Sequence, residues 1–87
     1  MNSVEVAPEC AVFTVFGEAD PALLPRIVAL FAKCALVPAW LHAEVLDGEM
    51  QVEVEFSGLS PAKADHFAEV LRQMPVVSLV RLRGESR

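Results

Sequence analysis

Between Trp40 and Ser57 the chain alternates, breaks at Asp47-Gly48, and alternates again. Asp-Gly readily adopts the two left-handed conformations of a two-residue hairpin turn, so it is the strongest short-range hairpin signal in the chain. Before it, Leu41, Ala43 and Val45 fall on one side and His42 and Glu44 on the other. After it, Met50, Val52, Val54 and Phe56 alternate with Gln51, Glu53, Glu55 and Ser57. Successive strand residues point to opposite faces, so this hairpin turns apolar side chains to a core and acidic ones to an open face. Something must therefore pack on the apolar side.

Two segments supply it. Asp20-Pro21 reads as a helix cap with proline at the first helical position. Leu24, Ile27, Phe31 and Cys34 then recur at helical spacing, with Leu23 and Leu30 widening the stripe. Pro25 falls in the first turn, where its missing N–H costs little. This predicts a helix over 21–35, and Pro38 prevents its resumption. Ser60-Pro61 repeats the start, Ala64, Phe67, Leu71 and Met74 form a second stripe, and Pro75 ends it. The compact run Cys10–Phe16, CAVFTVF, reads as a strand buried on both faces that ends at Gly17. A last strand is expected from Val76 to about Leu82.

The order strand, helix, strand, strand, helix, strand predicts an α+β fold, the ferredoxin-like βαββαβ sandwich. Its four-stranded antiparallel sheet carries both helices on one face. The expected organisation is a flexible leader over 1–9, one domain over 10–83 and a tail over 84–87. The opposite face keeps Glu53, Glu55, Arg81 and Arg83. Because strand one is apolar on both faces, part of its far side is expected to be exposed in a lone chain. A second chain, joined face to face or edge to edge, would cover it.

Composition agrees with a partnered module. The 87 residues are 54% hydrophobic, above the usual 45–50% or so, yet no stretch reaches the ~20 apolar residues of a membrane span. Twelve acidic against seven basic residues, for a net charge of -5, argue against a nucleic-acid partner, because such domains gather a basic face. Cys10 and Cys34 are far apart and make no CxxC motif, and the first ten residues lack a signal-peptide pattern. A cytoplasmic chain with two reduced, buried thiols is the expectation.

Motifs for chemistry are lacking. The first loop, GEADPALL, has no Cys or His for a soft metal, and strand three offers acids where RNA binding needs stacking aromatics. Cys34 lies on an apolar stripe, Cys10 has no basic neighbour in sequence, and His42 and His66 sit on different elements. Glu53 and Glu55 share a face that nothing desolvates. No catalytic residue, metal ligand or cofactor is assigned. The remaining candidate is the loop from Gly17 to Leu24. Glycine there lets a ligand approach the backbone, and a helix N-terminus suits the carboxylate of a small amino acid. A purely structural role, with Gly17 making the turn and Asp20 capping the helix, fits the same residues.

Residues 17–44, GEADPALLPRIVALFAKCALVPAWLHAE, resemble the first half of an ACT domain. The short regulatory subunit of acetolactate synthase, isozyme II type, is the nearest likeness. Asp20-Pro21, the run Leu24-Pro25-Arg26-Ile27-Val28, the pair Leu30-Phe31 and the spacing of Val77 and Val80 carry it, over roughly 11–83. The resemblance implies a homodimer or higher homo-oligomer, a large catalytic subunit as partner, and a small amino acid bound near the dimer interface. The implied ligand positions are Gly17, Glu18, Ala19, Asp20, Ala22 and Leu23 in the first loop, with Val37 and Pro38 before strand two. Ala22 stands where the family usually has glycine, and Ala19 and Val37 stand near its usual asparagines. These departures remove polar groups or a backbone free of Cβ, and so imply weak or no effector sensitivity. The alternative is a free-standing dimer that senses an amino acid or small metabolite.

Overall fold

In a computed structural model, residues 10–85 are described. The leader expected over 1–9 lies outside them. Six elements follow in order: β1 (Cys10–Glu18), α1 (Leu23–Lys33), β2 (Trp40–Leu46), β3 (Glu49–Ser57), α2 (Pro61–Arg72) and β4 (Val77–Glu85). The sheet is antiparallel in the order β2-β3-β1-β4, so the βαββαβ sandwich is the fold.

The hairpin forms as its dipeptide requires. Asp47 and Gly48 both take positive φ, 53° and 78°, and Leu46 pairs with Glu49 across the turn. Val52, Val54 and Phe56 are buried, while Gln51, Glu53 and Glu55 stay partly open on the other face. The α2 start also matches its signal. The Ser60 hydroxyl accepts the Lys63 amide at 3.2 Å with Pro61 following, a cap worth about 1 kcal/mol.

The start of α1 differs from expectation. Asp20 does not cap the helix; it closes the turn before it. Its Oδ1 accepts the Ala22 amide at 2.8 Å, and its carbonyl accepts the Leu23 amide at 3.0 Å. An Asp side chain bonding two residues ahead competes with helix, so the turn absorbs Pro21 and Ala22 and the helix begins at Leu23. The buried line is then Leu23, Ile27 and Phe31, with Leu24 and Leu30 beside it.

Cys34 is also corrected: it is exposed, not core. The helix stops at Lys33, and Ala35 turns left-handed at φ 58°. The Leu36 amide donates to the Phe31 carbonyl at 2.7 Å and the Ala35 amide to the Ala32 carbonyl at 3.1 Å. That double bond pattern is the usual glycine-type helix stop, built here with alanine. Left-handed backbone strains a residue with a Cβ by roughly 1–2 kcal/mol. Ala35→Gly is therefore expected to raise stability by about 0.5–1 kcal/mol, after subtracting glycine's greater unfolded-state freedom. A urea midpoint that falls instead would contradict this account of the helix end.

The core lies between the sheet and the helices. Phe13, Phe31, Phe56 and Phe67 meet mostly edge to face, with centroids 5.1–6.0 Å apart. Strand one is buried on both faces along its first half, as expected for a central strand. Its far side is less exposed than the sequence suggests: Cys10 and Val12 are buried, and Thr14 and Phe16 are half-buried. Val12 sits in the ladder between Glu55 and Arg83, and long side chains directly opposite a small one flank and shield it. Strand β4 runs to Glu85, past the expected end at Leu82, because Arg83, Gly84 and Glu85 continue its pairing with Val12, Ala11 and Cys10.

Candidate functional site

The first loop is tied into the fold through its own backbone. The Glu18 amide donates to the Val76 carbonyl at 3.1 Å and the Ala19 amide to the Gly48 carbonyl at 3.1 Å. The Asp20 amide donates to the Glu18 carbonyl at 2.7 Å, and the Ala22 and Leu23 amides donate to Asp20. Five amides that could have held a carboxylate thus already have acceptors within the chain. Gly17 has a packing reason as well: a Cβ there would stand 2.5 Å from the Val76 carbonyl oxygen. Leu23 is fully buried, while Glu18 and Ala19 are exposed and Asp20 and Ala22 are half-buried.

Gly17, Glu18, Gly48 and Val76 converge on a shallow groove of about 320 Å³ at one end of the sheet. The sequence reading missed Asp47-Gly48 and Val76 as neighbours of that loop. Register alone could have indicated it, since the hairpin turn and the α2–β4 connection must reach the same end of a four-stranded antiparallel sheet.

Val37 and Pro38 lie elsewhere. The Ala39 amide donates to the Glu55 carbonyl at 2.7 Å, and Trp40 pairs with Glu55, which pairs with Val12. Gly17 lies five residue steps along β1 from Val12, about 17 Å along the sheet. Within one chain, the candidate ligand positions therefore form two groups at opposite ends of the sheet.

Around Val37 the surface is apolar. Val28, Phe31, Leu36, Val37, Pro38 and Leu41 line an open concavity of about 770 Å³ at the C-terminal end of α1. Val37 is 86% exposed; along edge strand β2 Val45 is exposed on the helix side, while Trp40 and Leu46 are exposed on the open face. Val45 was expected on the core side. It occupies that face, but at an outer strand that the helices do not cover. Val28 was legible as an apolar residue off the α1 stripe and was not singled out.

The remaining candidates stay dispersed. His42 Nε2 lies 3.1 Å from Glu44 Oε1 on the exposed face of β2, and Trp40 Nε1 donates to Glu55 Oε1 at 3.1 Å. Exposed Cys34 and His66 line a cleft between the helices with Lys63, and buried Cys10 is at the far end of β1. Among the described residues no three His, Cys, Asp or Glu side chains gather to hold a metal ion. No helix among them is long and apolar enough to cross a membrane.

With this geometry, similarity to known proteins is informative about the fold. The ACT domain of GTP pyrophosphokinase from Chlorobium tepidum superposes with a TM-score of 0.77 at 16% identity, covering 87% of this chain and 99% of that one. The C-terminal domain of the MgtC protein from Mycobacterium tuberculosis gives 0.69 at 16% identity, covering 95% and 93%. An ACT domain protein from Streptococcus pneumoniae gives 0.64 at 18% identity, covering 92% and 90%. No curated relative matches by sequence. The family described as ACT-like domain matches residues 4–86, nearly the whole chain. ACT domains are generally regulatory modules, and the dispersed side chains described above form no catalytic constellation. By sheet order, helix placement and family match together, this chain belongs to the ACT-like domain family.

Proposed function

We propose that this chain is a non-catalytic cytoplasmic regulatory subunit that pairs with a second copy and acts on an amino-acid biosynthetic enzyme. Acetolactate synthase is the enzyme its sequence resemblance suggests. The observation that carries the reading is the apolar band on α1 and β2. Val28 on α1, Val37 in the connection and Val45 on β2 are 45%, 86% and 52% exposed on the helix side, and Trp40 and Leu46, 42% and 59% exposed, lie on the open side of the same edge strand. An exposed apolar edge of this kind is a template for another chain. Pairing two copies antiparallel along β2 buries the band. It also brings the Val37–Pro38 end of each chain toward the Gly17–Asp20 end of the other, reuniting the two groups of candidate positions. The loop amides already spent within the chain support weak effector sensitivity.

The test is co-purification with an acetolactate synthase large subunit, followed by an activity assay. Adding the chain is expected to raise activity, and branched-chain amino acids are expected to change it little. Leu46→Glu, which places charge in the band, is expected to abolish the stimulation while the chain stays folded. No association with the large subunit would sink the proposal.

A free-standing sensing dimer is the second reading, favoured by the same reunion of the two loop groups across a β2 pair. It predicts a rise in melting temperature with one amino acid, because a ligand that binds only the folded state stabilises it. A screen of the twenty amino acids and a panel of small metabolites without a shift would remove it.

A further inference from the structure

The cleft between the two helices, about 440 Å³, joins an apolar floor to polar side chains without partners. Leu59 and Phe67 are buried at its base and Leu36 is half-buried. Lys63 and His66, one turn apart on the same face of α2, stand exposed beside them, with Cys34 at the end of α1. Among the described residues, the side chains of Lys63, His66 and Cys34 make no hydrogen bond or ion pair. No described Asp or Glu lines the cleft, although the chain carries a net charge of -5. Of the α2 acids, Asp65 adjoins His66 in sequence and so falls on another face of the helix, and Glu69 is paired with Arg72 at 3.2 Å.

We propose that this cleft binds a small apolar monocarboxylate, its hydrocarbon tail on Leu36, Leu59 and Phe67 and its carboxylate at Lys63 and His66. Small-molecule sites have this make-up, about 300–1,000 Å³, mostly apolar, with a few convergent polar groups. The tail gains affinity by leaving water. The Lys63 ammonium offers three donors and the His66 ring an N–H in either tautomer, and an ionised carboxylate only accepts. The same charges select among carboxylates. An α-amino acid brings an ammonium group that finds no carboxylate here and loses water without replacement. A fatty, arylalkyl or 2-oxo acid has no such group. The cleft thus differs from the Gly17–Asp20 loop in place and in ligand: it lies at the C-terminal end of α1, and the loop precedes its N-terminal end. It needs neither a second copy nor a partner enzyme.

Octanoate is the probe, on the full chain alone, with octanol and 2-aminooctanoate as controls that share its tail. Cys34 is exposed and Cys10 buried, so alkylation by iodoacetamide reports on this cleft. Octanoate is expected to slow Cys34 alkylation saturably and to shift the backbone amide resonances of residues 34–36 and 59–67. Octanol and 2-aminooctanoate are each expected to bind about threefold more weakly or worse. Lys63→Gln weakens octanoate about threefold to fivefold, the worth of one exposed charge pair, and leaves octanol unchanged, while Lys63→Arg keeps octanoate binding. Ala62→Phe, which places a ring in the cleft from an exposed position, abolishes protection by octanoate while the chain melts as the parent does. No protection of Cys34 at about 10 mM octanoate overturns the proposal. So does Lys63→Gln binding octanoate as the parent does, or equal affinity for octanol or 2-aminooctanoate, because charge then plays no part. Shifts centred on Val37 and Leu41 also overturn it, since they place the tail in the α1–β2 concavity. Failure to associate with an acetolactate synthase large subunit leaves all these results unchanged, so the two readings fail separately.

Discussion

Phe56→Ala is expected to remove about 3–5 kcal/mol of unfolding free energy, the largest loss of any single truncation argued for this chain. Phe56 is 1% exposed and meets Phe13, Phe31 and Phe67 at centroid distances of 5.8, 5.2 and 5.7 Å. It thus joins β3 to β1, α1 and α2 through one ring. Truncation removes buried apolar area and also the edge-to-face contacts, each worth roughly 0.5–1.5 kcal/mol beyond area. Domains of this size hold about 5–15 kcal/mol in all, so roughly a fifth or more of the stability rests on this position. Urea unfolding should show the midpoint falling at nearly constant slope, and Phe56→Leu should lose distinctly less because it fills more of the space. A loss below about 1.5 kcal/mol would mean that the four rings do not pack as a unit. In a double-mutant cycle Phe56 and Phe67 should couple, because they touch.

The same cluster shows why the fold was readable. Phe13, Phe31, Phe56 and Phe67 each sit at the period of their own element, two residues on strands and three to four on helices, and periodicity is what burial imposes. Asp47-Gly48 and Ser60-Pro61 were legible because their chemistry acts within four residues. Local signals failed where two of them competed. Asp20 could cap a helix or close a turn, and the choice depended on Pro21 and Ala22 adopting the turn. Cys34 matched the α1 stripe, but Ala35 ends that helix in a conformation usually reserved for glycine, so no residue type announced the stop.

The candidate site was less legible than the fold, for a geometric reason. Loop residues Gly17 to Asp20 and the pair Val37 and Pro38 are set at opposite ends of the sheet by strand register, and no spacing along one chain reveals whether two copies reunite them. The same holds for the open face. Glu53 and Arg81 lie 28 positions apart in sequence and become level only through Thr14. Alternation places each on a face; only the pairing of both strands with β1 makes a charge pattern of them. Surface function in this fold is thus written in register.

Gly17→Ala separates a packing role from a binding role, and is expected to destabilise the chain by about 2–4 kcal/mol. The new Cβ would meet the Val76 carbonyl oxygen at 2.5 Å, its carbon at 3.3 Å and Leu23 Cδ2 at 3.1 Å. A side-chain methyl can rotate away, but this carbonyl is held: it accepts the Glu18 amide at 3.1 Å. Relieving the contact means moving the Pro75–Val76 connection off β1, just where the β1–β4 register already shifts between Phe16 and Gly17. Gly84→Ala is the control. It lies on the same sheet with nothing within 4 Å of its would-be Cβ, and should change stability by less than about 0.5 kcal/mol. Were Gly17 kept open only for a ligand, the two substitutions would give equal urea midpoints, and Gly17→Ala would show itself only in a lost amino-acid-dependent melting shift. A large midpoint difference between them instead assigns Gly17 to the joint of β1, α1 and β4, and leaves effector binding, if this chain has it, to be supplied across the β2 edge by a second copy.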